Sequence, residues 1–276
     1  TESQAQIAKS LQSSTIGHVT DSKSHDRAWH TILDAPAFDS LIQLPQSVPH
    51  FVIDTETTSV YWRQAELVGL SFAVEAHEAY YIPLTHALEG DELTAKQLDR
   101  DTVLARLKPI LENIKIGKIG QHLKYDTHIL SHYDIDLIGA IHSTDNEADY
   151  INNWAMDTML ASYVINAAAT RHGMDDLARH YLQTQTISFE DVAGKGAKQV
   201  SFDQVAIDLA SDYACEDADI TYQLFELFSE KLAADENNAK LLHELEIPTA
   251  EILCQMEANG ILIKRPFLNE LSKRFD

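Results

Sequence analysis

Apolar residues fall first in short unbroken runs and later at helical spacing. Phe51, Val52 and Ile53 form a continuous run, the pattern of a strand buried on both faces. Residues 67–74 and 79–83 read as two further strands, joined by a tight connection at Glu75, Ala76, His77 and Glu78. Residues 114–119 read as a fourth, leading through Gly120 into the segment GQHLKYD. Val103, Leu104, Leu107, Ile110 and Leu111 have helical spacing and predict an amphipathic helix over about 95–112. Residues 123–133 predict another helix. Met156, Met159, Leu160, Tyr163 and Val164 define the next, residues 173–182 a third, and the pattern is helical again from 202 to about 234. The polar, acidic stretch 140–154 reads as a surface excursion, and 184–204 as a long loop with short helical pieces. Residues 1–25, rich in Ser, Thr, Gln and His, read as a flexible linker or arm, and the core starts near Trp29. Strands alternating with helices, followed by a helical tail, imply an α/β domain with a mixed sheet. No internal repeat is visible.

Composition narrows the function classes. The chain has 276 residues and is 45% hydrophobic, enough for a full core. Its formal net charge of −22 repels polyanions, which argues against a domain that coats nucleic acid with basic surface. An enzyme that holds nucleic acid through bound cations tolerates such a charge. Two cysteines, Cys215 and Cys254, make no disulfide framework, and a reducing cytoplasm is the simplest setting. No apolar run approaches the roughly 18 residues of a membrane span, and no signal pattern opens the chain. The chain begins at Thr1 rather than Met, which reads as an internal cut from a longer protein.

The candidate chemistry lies in four carboxylates on three motifs. Asp54 and Glu56 are two apart, so on a strand they point to one side, at the carboxyl end where open α/β sheets bind ligands. A lone Asp-x-Glu is common in an acidic chain and reads equally as a polar strand end. Asp126 lies on a stripe with Ile129, Leu130 and Tyr133, which turns its carboxylate inward. An inward charge needs a cation or a hydrogen-bond network, because burying it alone costs several kcal/mol. Bonding to backbone amides near the helix start is the other reading of Asp126. Asp217 shares a stripe with Tyr213, Ile220 and Leu224, whereas Glu216 and Asp219 fall off it and read as solvated charges. Tyr213, one turn before Asp217, can bring its hydroxyl to the same place; alone it would read as a core tyrosine. Four converging acids repel one another, and two divalent cations would cancel them. Oxygen ligands suit Mg²⁺ or Mn²⁺, and two such ions are a common solution for phosphodiester hydrolysis, one activating water and the other stabilising the leaving oxygen.

The order Asp-x-Glu, Asp, Tyr-x-x-x-Asp resembles the DEDD exonuclease superfamily in its tyrosine-containing branch. The segments VIDTET, LVGLSFAVE, GQHLKYD, DTMLASYVIN, RHGMDDLA, ISFEDVAGKG and YACEDADIT resemble the 3′–5′ proofreading exonuclease domain of bacterial family A DNA polymerases. This resemblance covers roughly 48–230. Beyond it, LEIPTAEILCQMEANGILI resembles the opening of the polymerase region, and no later polymerase motif follows, so no DNA synthesis is expected of this chain. The domains implied are an arm at 1–25, an exonuclease at 26–235 and a truncated polymerase start at 236–276.

The resemblance implies a ribonuclease H-like, DnaQ-like fold with a mixed five-stranded sheet flanked by helices. It implies two divalent cations, Mg²⁺ with Mn²⁺ or Zn²⁺ able to substitute. Asp54, Glu56 and Asp217 would hold the ion that carries the nucleophilic water. Asp54 and Asp126 would serve the second, and Tyr213 would orient the nucleophile. Val60 stands where a leucine wedges against the terminal base, and Phe189 matches an aromatic packing on the same nucleotide. Gln121 and Arg171 match backbone-contacting positions. His122 replaces the usual Asn near the substrate strand, for which altered affinity rather than lost chemistry is expected. The segment 140–154 is longer than the family pattern and reads as a bland insertion ahead of one that modulates strand access. The implied partners are single-stranded or frayed 3′ DNA ends and a covalently linked polymerase region, with no membrane and a monomeric state.

Weaker signals add little. His128 and His132 have i, i+4 spacing but no accompanying Glu or cysteine cluster, so no zinc site is read. Gly194 to Lys198 lacks P-loop spacing and is either a DNA-backbone contact or a solvated loop. Two rival functions stand beside the leading one. One is an RNA-processing exonuclease of the same superfamily; the other is a degenerate exonuclease fold kept as a binding or structural module, against which the presence of all four acids and the tyrosine counts.

Overall fold

A computed structural model describes residues 27–144 and 147–275, with side chains of 140–151 excepted. The predicted arm at 1–25 lies outside the described residues. Eight strands occur among them: β1 (Ala28–Thr31), β2 (His50–Thr57), β3 (Leu67–Glu75), β4 (Glu78–Pro83), β5 (Gly117–Gly120), β6 (Ala140–Thr144), β7 (Glu147–Ile151) and β8 (Trp154–Asp157). Six form one mixed sheet in the order β1-β4-β3-β2-β5-β8, and β6 pairs with β7 as a separate antiparallel hairpin. β2 is central. It runs antiparallel to β3 and parallel to β5, and Phe51, Val52 and Ile53 are fully buried because both faces are covered.

The sheet therefore has six strands where five were expected. β1 and β8 are four residues each, too short to show a period against their polar flanks. Trp154 and Met156, assigned from sequence to the surface excursion and to a helix, are instead buried in β8. The segment 140–151 is the β6–β7 hairpin.

Helices cover both faces. They are α1 (Ala35–Leu41), α2 (Arg100–Leu111), α3 (Leu123–Ser131), α4 (Thr158–Asn166), α5 (Met174–Leu177) with a wide turn at Ala178–Leu182, and α6 (Phe189–Ala193). There follow α7 (Ile207–Ala233), α8 (Glu236–Lys240), α9 (Ile247–Asn259) and α10 (Arg265–Phe275). The 27-residue α7 packs across β2, β3 and β4. Ala210, Ala214 and Ala218, each buried and four apart, give it a small-residue stripe against the sheet. Small side chains permit close approach, which brings the middle of α7 to the end of β2. Gly69 on β3 shows the same tightness, since a Cβ there would meet the Tyr81 hydroxyl at 2.2 Å. At the carboxyl end of β2, just beyond the two carboxylates, the register with β3 slips between Glu56 and Thr57, a bulge-like irregularity after which Thr57 pairs with Leu67.

A candidate active site between β2, α3 and α7

Asp54 and Glu56 leave β2 on one side, as the period of two requires, and face Asp217 on α7. Ligand oxygens of these three residues all lie within 4.8 Å of one another. The fourth acid reaches the same end of β2 from α3, by a different contact. Asp126 Oδ1 accepts from the Thr55 backbone amide at 3.0 Å and from its hydroxyl at 2.7 Å. Thr55 sits between Asp54 and Glu56, so one strand segment joins all four.

The electrostatics are severe. Burial pushes the Asp54 carboxyl up to about 6, opposed by the Thr55 amide and the Ser71 hydroxyl. Glu56 is driven well above the usual carboxylate range by burial and then by Asp54, Asp217 and Asp126. Burial followed by Asp54 does the same to Asp217, and burial followed by Asp54 to Asp126. Glu56 Oε1 is buried with no hydrogen-bond partner. An orphaned oxygen inside a cage of carboxylate oxygens is the arrangement that a hard cation relieves. The donor set, all oxygen with no thiolate or imidazole, fits a divalent ion of the Mg²⁺ or Mn²⁺ kind.

Tyr213 joins this cluster through its hydroxyl, which is hydrogen-bonded to Asp217. The Asp217 charge, then burial, raises its pKa far above the ordinary tyrosine value, so it stays protonated and donates. Phe189, the first residue of α6, is 39% exposed and stands T-shaped to the Tyr213 ring at 6.4 Å. Its loop is fixed by a capping box in which Ser188 and Asp191 exchange bonds. Val60 is 83% exposed on the loop after β2. His122 and Arg171 are exposed. Gln121 is turned inward, donating to the His172 carbonyl at 2.9 Å and accepting from Thr158 Oγ1 at 2.5 Å. His122 has φ of 66°, a left-handed conformation that Asn and His enter more readily than most residues. That backbone conformation is compatible with the His found at this position.

Three acids depart from their sequence reading or were missed. Glu216 and Asp219, expected to be solvated, are buried on α7. Glu216 accepts from the Ile187 amide at 2.5 Å and faces Arg27 at 3.5 Å; Asp219 accepts from the His77 amide at 2.7 Å and from Gln223 at 2.8 Å. A single-stripe reading fails because α7 is embraced by loops on its flanks as well as by the sheet. Asp157 was not singled out. It caps two helices at once, accepting from His122 and Leu123 at the start of α3 and from Met159 and Leu160 at the start of α4. An Asp directly before a helical run is an N-cap signal that sequence can supply; its second helix is not. His128 is buried and stacked on Trp62, with Nε2 facing Glu257 Oε2 at 3.0 Å and Cys254 Sγ at 3.6 Å.

A six-stranded mixed sheet flanked by helices, with acids converging at the end of its central strand, is an α/β fold of the ribonuclease H-like, DnaQ-like kind. A family model described as 3′–5′ exonuclease matches residues 29–233. The chain is 42% identical over 245 residues to DNA polymerase I of Pseudomonas aeruginosa, covering 89% of this chain and 25% of that protein. It thus spans about a quarter of the length of the curated relatives it matches. Among solved structures, the POL domain of Pol1 from M. smegmatis in complex with DNA primer-template and dNTP superposes with a TM-score of 0.59 at 19% identity, over 89% of this chain and 35% of that one. The catalytic core of RRP6 from Trypanosoma brucei does so with a TM-score of 0.56 at 13% identity, over 90% and 59%; both share the fold. The chain belongs to the 3′–5′ exonuclease family of the family A DNA polymerases. Among the described residues, no helix is long and apolar enough to cross a membrane.

Proposed function

We propose that this chain is a metal-dependent 3′–5′ exonuclease that hydrolyses the terminal phosphodiester of DNA and releases nucleoside monophosphates. It would act in the cytoplasm as the proofreading unit of a longer DNA polymerase, with residues 26–235 forming the exonuclease and 236–276 the start of the polymerase region. The observation that carries this reading is the cluster of half-buried Asp54 with buried Glu56 and Asp217, together with the unpartnered Glu56 oxygen. Asp54, Glu56 and Asp217 would hold one divalent cation, and Asp54 with Asp126 a second. When bound, such ions lower the pKa of water and stabilise charge on the leaving oxygen.

The chain's own groups have separate tasks. Tyr213, kept protonated beside Asp217, orients the attacking water through its hydroxyl. Phe189 and Val60 offer apolar surface to the terminal base, the stacking mode by which single strands are held without a basic groove. That mode fits a net charge of −22. Arg171 and His122 are exposed donors for the strand's backbone, and Gln121 would keep its inward bonds or exchange one for a phosphate. Frayed or single-stranded 3′ ends are the substrate that such a site admits.

A 3′-extended, 5′-labelled DNA oligonucleotide with Mg²⁺ tests the reading. Stepwise shortening is expected, lost in EDTA and in Asp54→Ala. Persistence of shortening in Asp54→Ala, or its absence in the wild type, refutes the catalytic assignment. The same assay with RNA of matching sequence settles the nucleic-acid class; faster RNA degradation would overturn the DNA assignment.

A further inference from the structure

The loop that carries Val60 is supported from outside the exonuclease family boundary. It leaves β2 at Thr57 and returns to β3 at Leu67, closed at its base by bonds from the Thr58 amide to the Glu66 carbonyl and from the Glu66 amide to the Thr58 hydroxyl, both 3.0 Å. α3 supports its near side, with the Tyr125 hydroxyl donating to the Ser59 carbonyl at 2.5 Å. The far side is held by α9. The Trp62 indole lies flat on the His128 ring, centroids 3.9 Å apart and planes 4° apart. His128 Nε2 meets Glu257 Oε2 at 3.0 Å, and Lys124 Nζ meets Glu257 Oε1 at 2.6 Å. The same residue's backbone carbonyl accepts from Arg63 Nη2 at 2.5 Å, and the Arg63 guanidinium lies over Trp62 at 4.2 Å.

Glu257 of α9 therefore bonds both α3 and the loop. Beyond these supports, the tip presents Val60 and Tyr61 at 83% and 71% exposure, apolar and aromatic surface that no described contact covers. The family match ends at residue 233, 24 residues before Glu257. We infer that Glu257 is a positioning residue for the exonuclease. Through His128, Lys124 and Arg63 it fixes the Trp62 anchor and so holds the Val60–Tyr61 tip where the terminal nucleotide must pack. This rests on the exonuclease reading for the role of Val60. It means that the helix leading out of the exonuclease sets how well the site grips its strand, so that displacement of α9 would weaken grip without touching the carboxylates.

Stability is a poor readout, since Glu257 is 42% exposed and such pairs contribute little to folding. Grip is the right one. On the full chain with a single-stranded DNA oligonucleotide and Mg²⁺, Glu257→Ala is expected to raise KM about 3- to 10-fold with kcat within about twofold, the size of a lost contact coupling. Glu257→Gln, which keeps an acceptor, should stay within about twofold of the wild type. Arg63→Ala, on an exposed side chain that cannot open the core, should move KM in the same direction. The decisive measurement is the double-mutant cycle with Val60→Ala, in KM and in oligonucleotide Kd by anisotropy. If Glu257 acts through the tip, the double variant is no weaker than the weaker single variant. Additive effects, or an unchanged KM in Glu257→Ala, overturn the inference while leaving the exonuclease intact. Coupling seen in Kd from a protein that hydrolyses nothing supports the positioning role and sinks the hydrolytic reading instead.

Discussion

The α3 side of the site and the β2–α7 side bury their carboxylates in opposite ways. Asp126 on α3 has two donors from one residue, the Thr55 amide and hydroxyl. Glu56 on β2 has none for its Oε1 and is surrounded by three other acids. Asp217 lies between these extremes, with the single Tyr213 hydroxyl. A carboxylate that the protein itself satisfies ties elements together; one left unsatisfied stores a demand for positive charge. On this view Asp126 is as much a fastener between α3 and β2 as a ligand, whereas Glu56 is useful only with a cation present.

The contrast can be broken at graded strengths. The largest effect is expected from Glu56→Gln, which removes a ligand charge and should lower Mg²⁺-dependent kcat by about 10³-fold, or about 4 kcal/mol. Single-turnover hydrolysis checks it, and a loss under tenfold would place the ion elsewhere. Next comes folding. Asp126→Ala strands two buried donors and should cost about 2–3 kcal/mol in urea unfolding with EDTA. In the same titration Glu56→Gln should instead stabilise by about 1 kcal/mol, a gain that Mg²⁺ erases by favouring the wild type. Equal signs for the two variants would end the distinction.

The smallest effect is a pH slope. Burial raises the Asp54 carboxyl from 3.8 to about 6, so the folded state holds a proton that the unfolded chain has released between those values. Cation-free stability should therefore fall as pH rises through that window. Asp54→Asn should remove part of the slope, and saturating Mg²⁺ should flatten it, because a bound cation holds the carboxylates as anions. A wild type whose stability rises with pH across the window relative to Asp54→Asn contradicts the burial account.

Much of the architecture was legible because it rests on runs and periods. Phe51 to Ile53 announced the central strand, the 67–74 and 79–83 runs its neighbours, and the Tyr213–Asp217–Leu224 stripe the inner face of α7. The short edges were not. β1 and β8 hold four residues each and draw their hydrogen bonds from distant strands, so nothing local marks them. Partner identity is equally nonlocal: Glu216 and Asp219 looked solvated because the loops that bury them come from Ile187 and His77, 29 and 142 residues away.

The sequence by itself determined the residue types, their order and their spacing. Those were enough to pair Asp54 with Glu56, turn Asp126 and Asp217 inward, and bring Tyr213 onto the same stripe, since side-chain direction follows from backbone period. Only the tertiary structure decided which acids are compensated. Whether Thr55 reaches Asp126, whether Glu56 is left without a donor, and whether Glu257 closes on His128 depend on how α3, α7 and α9 seat against one strand end. Those are contacts between segments that packing sets and no local pattern encodes.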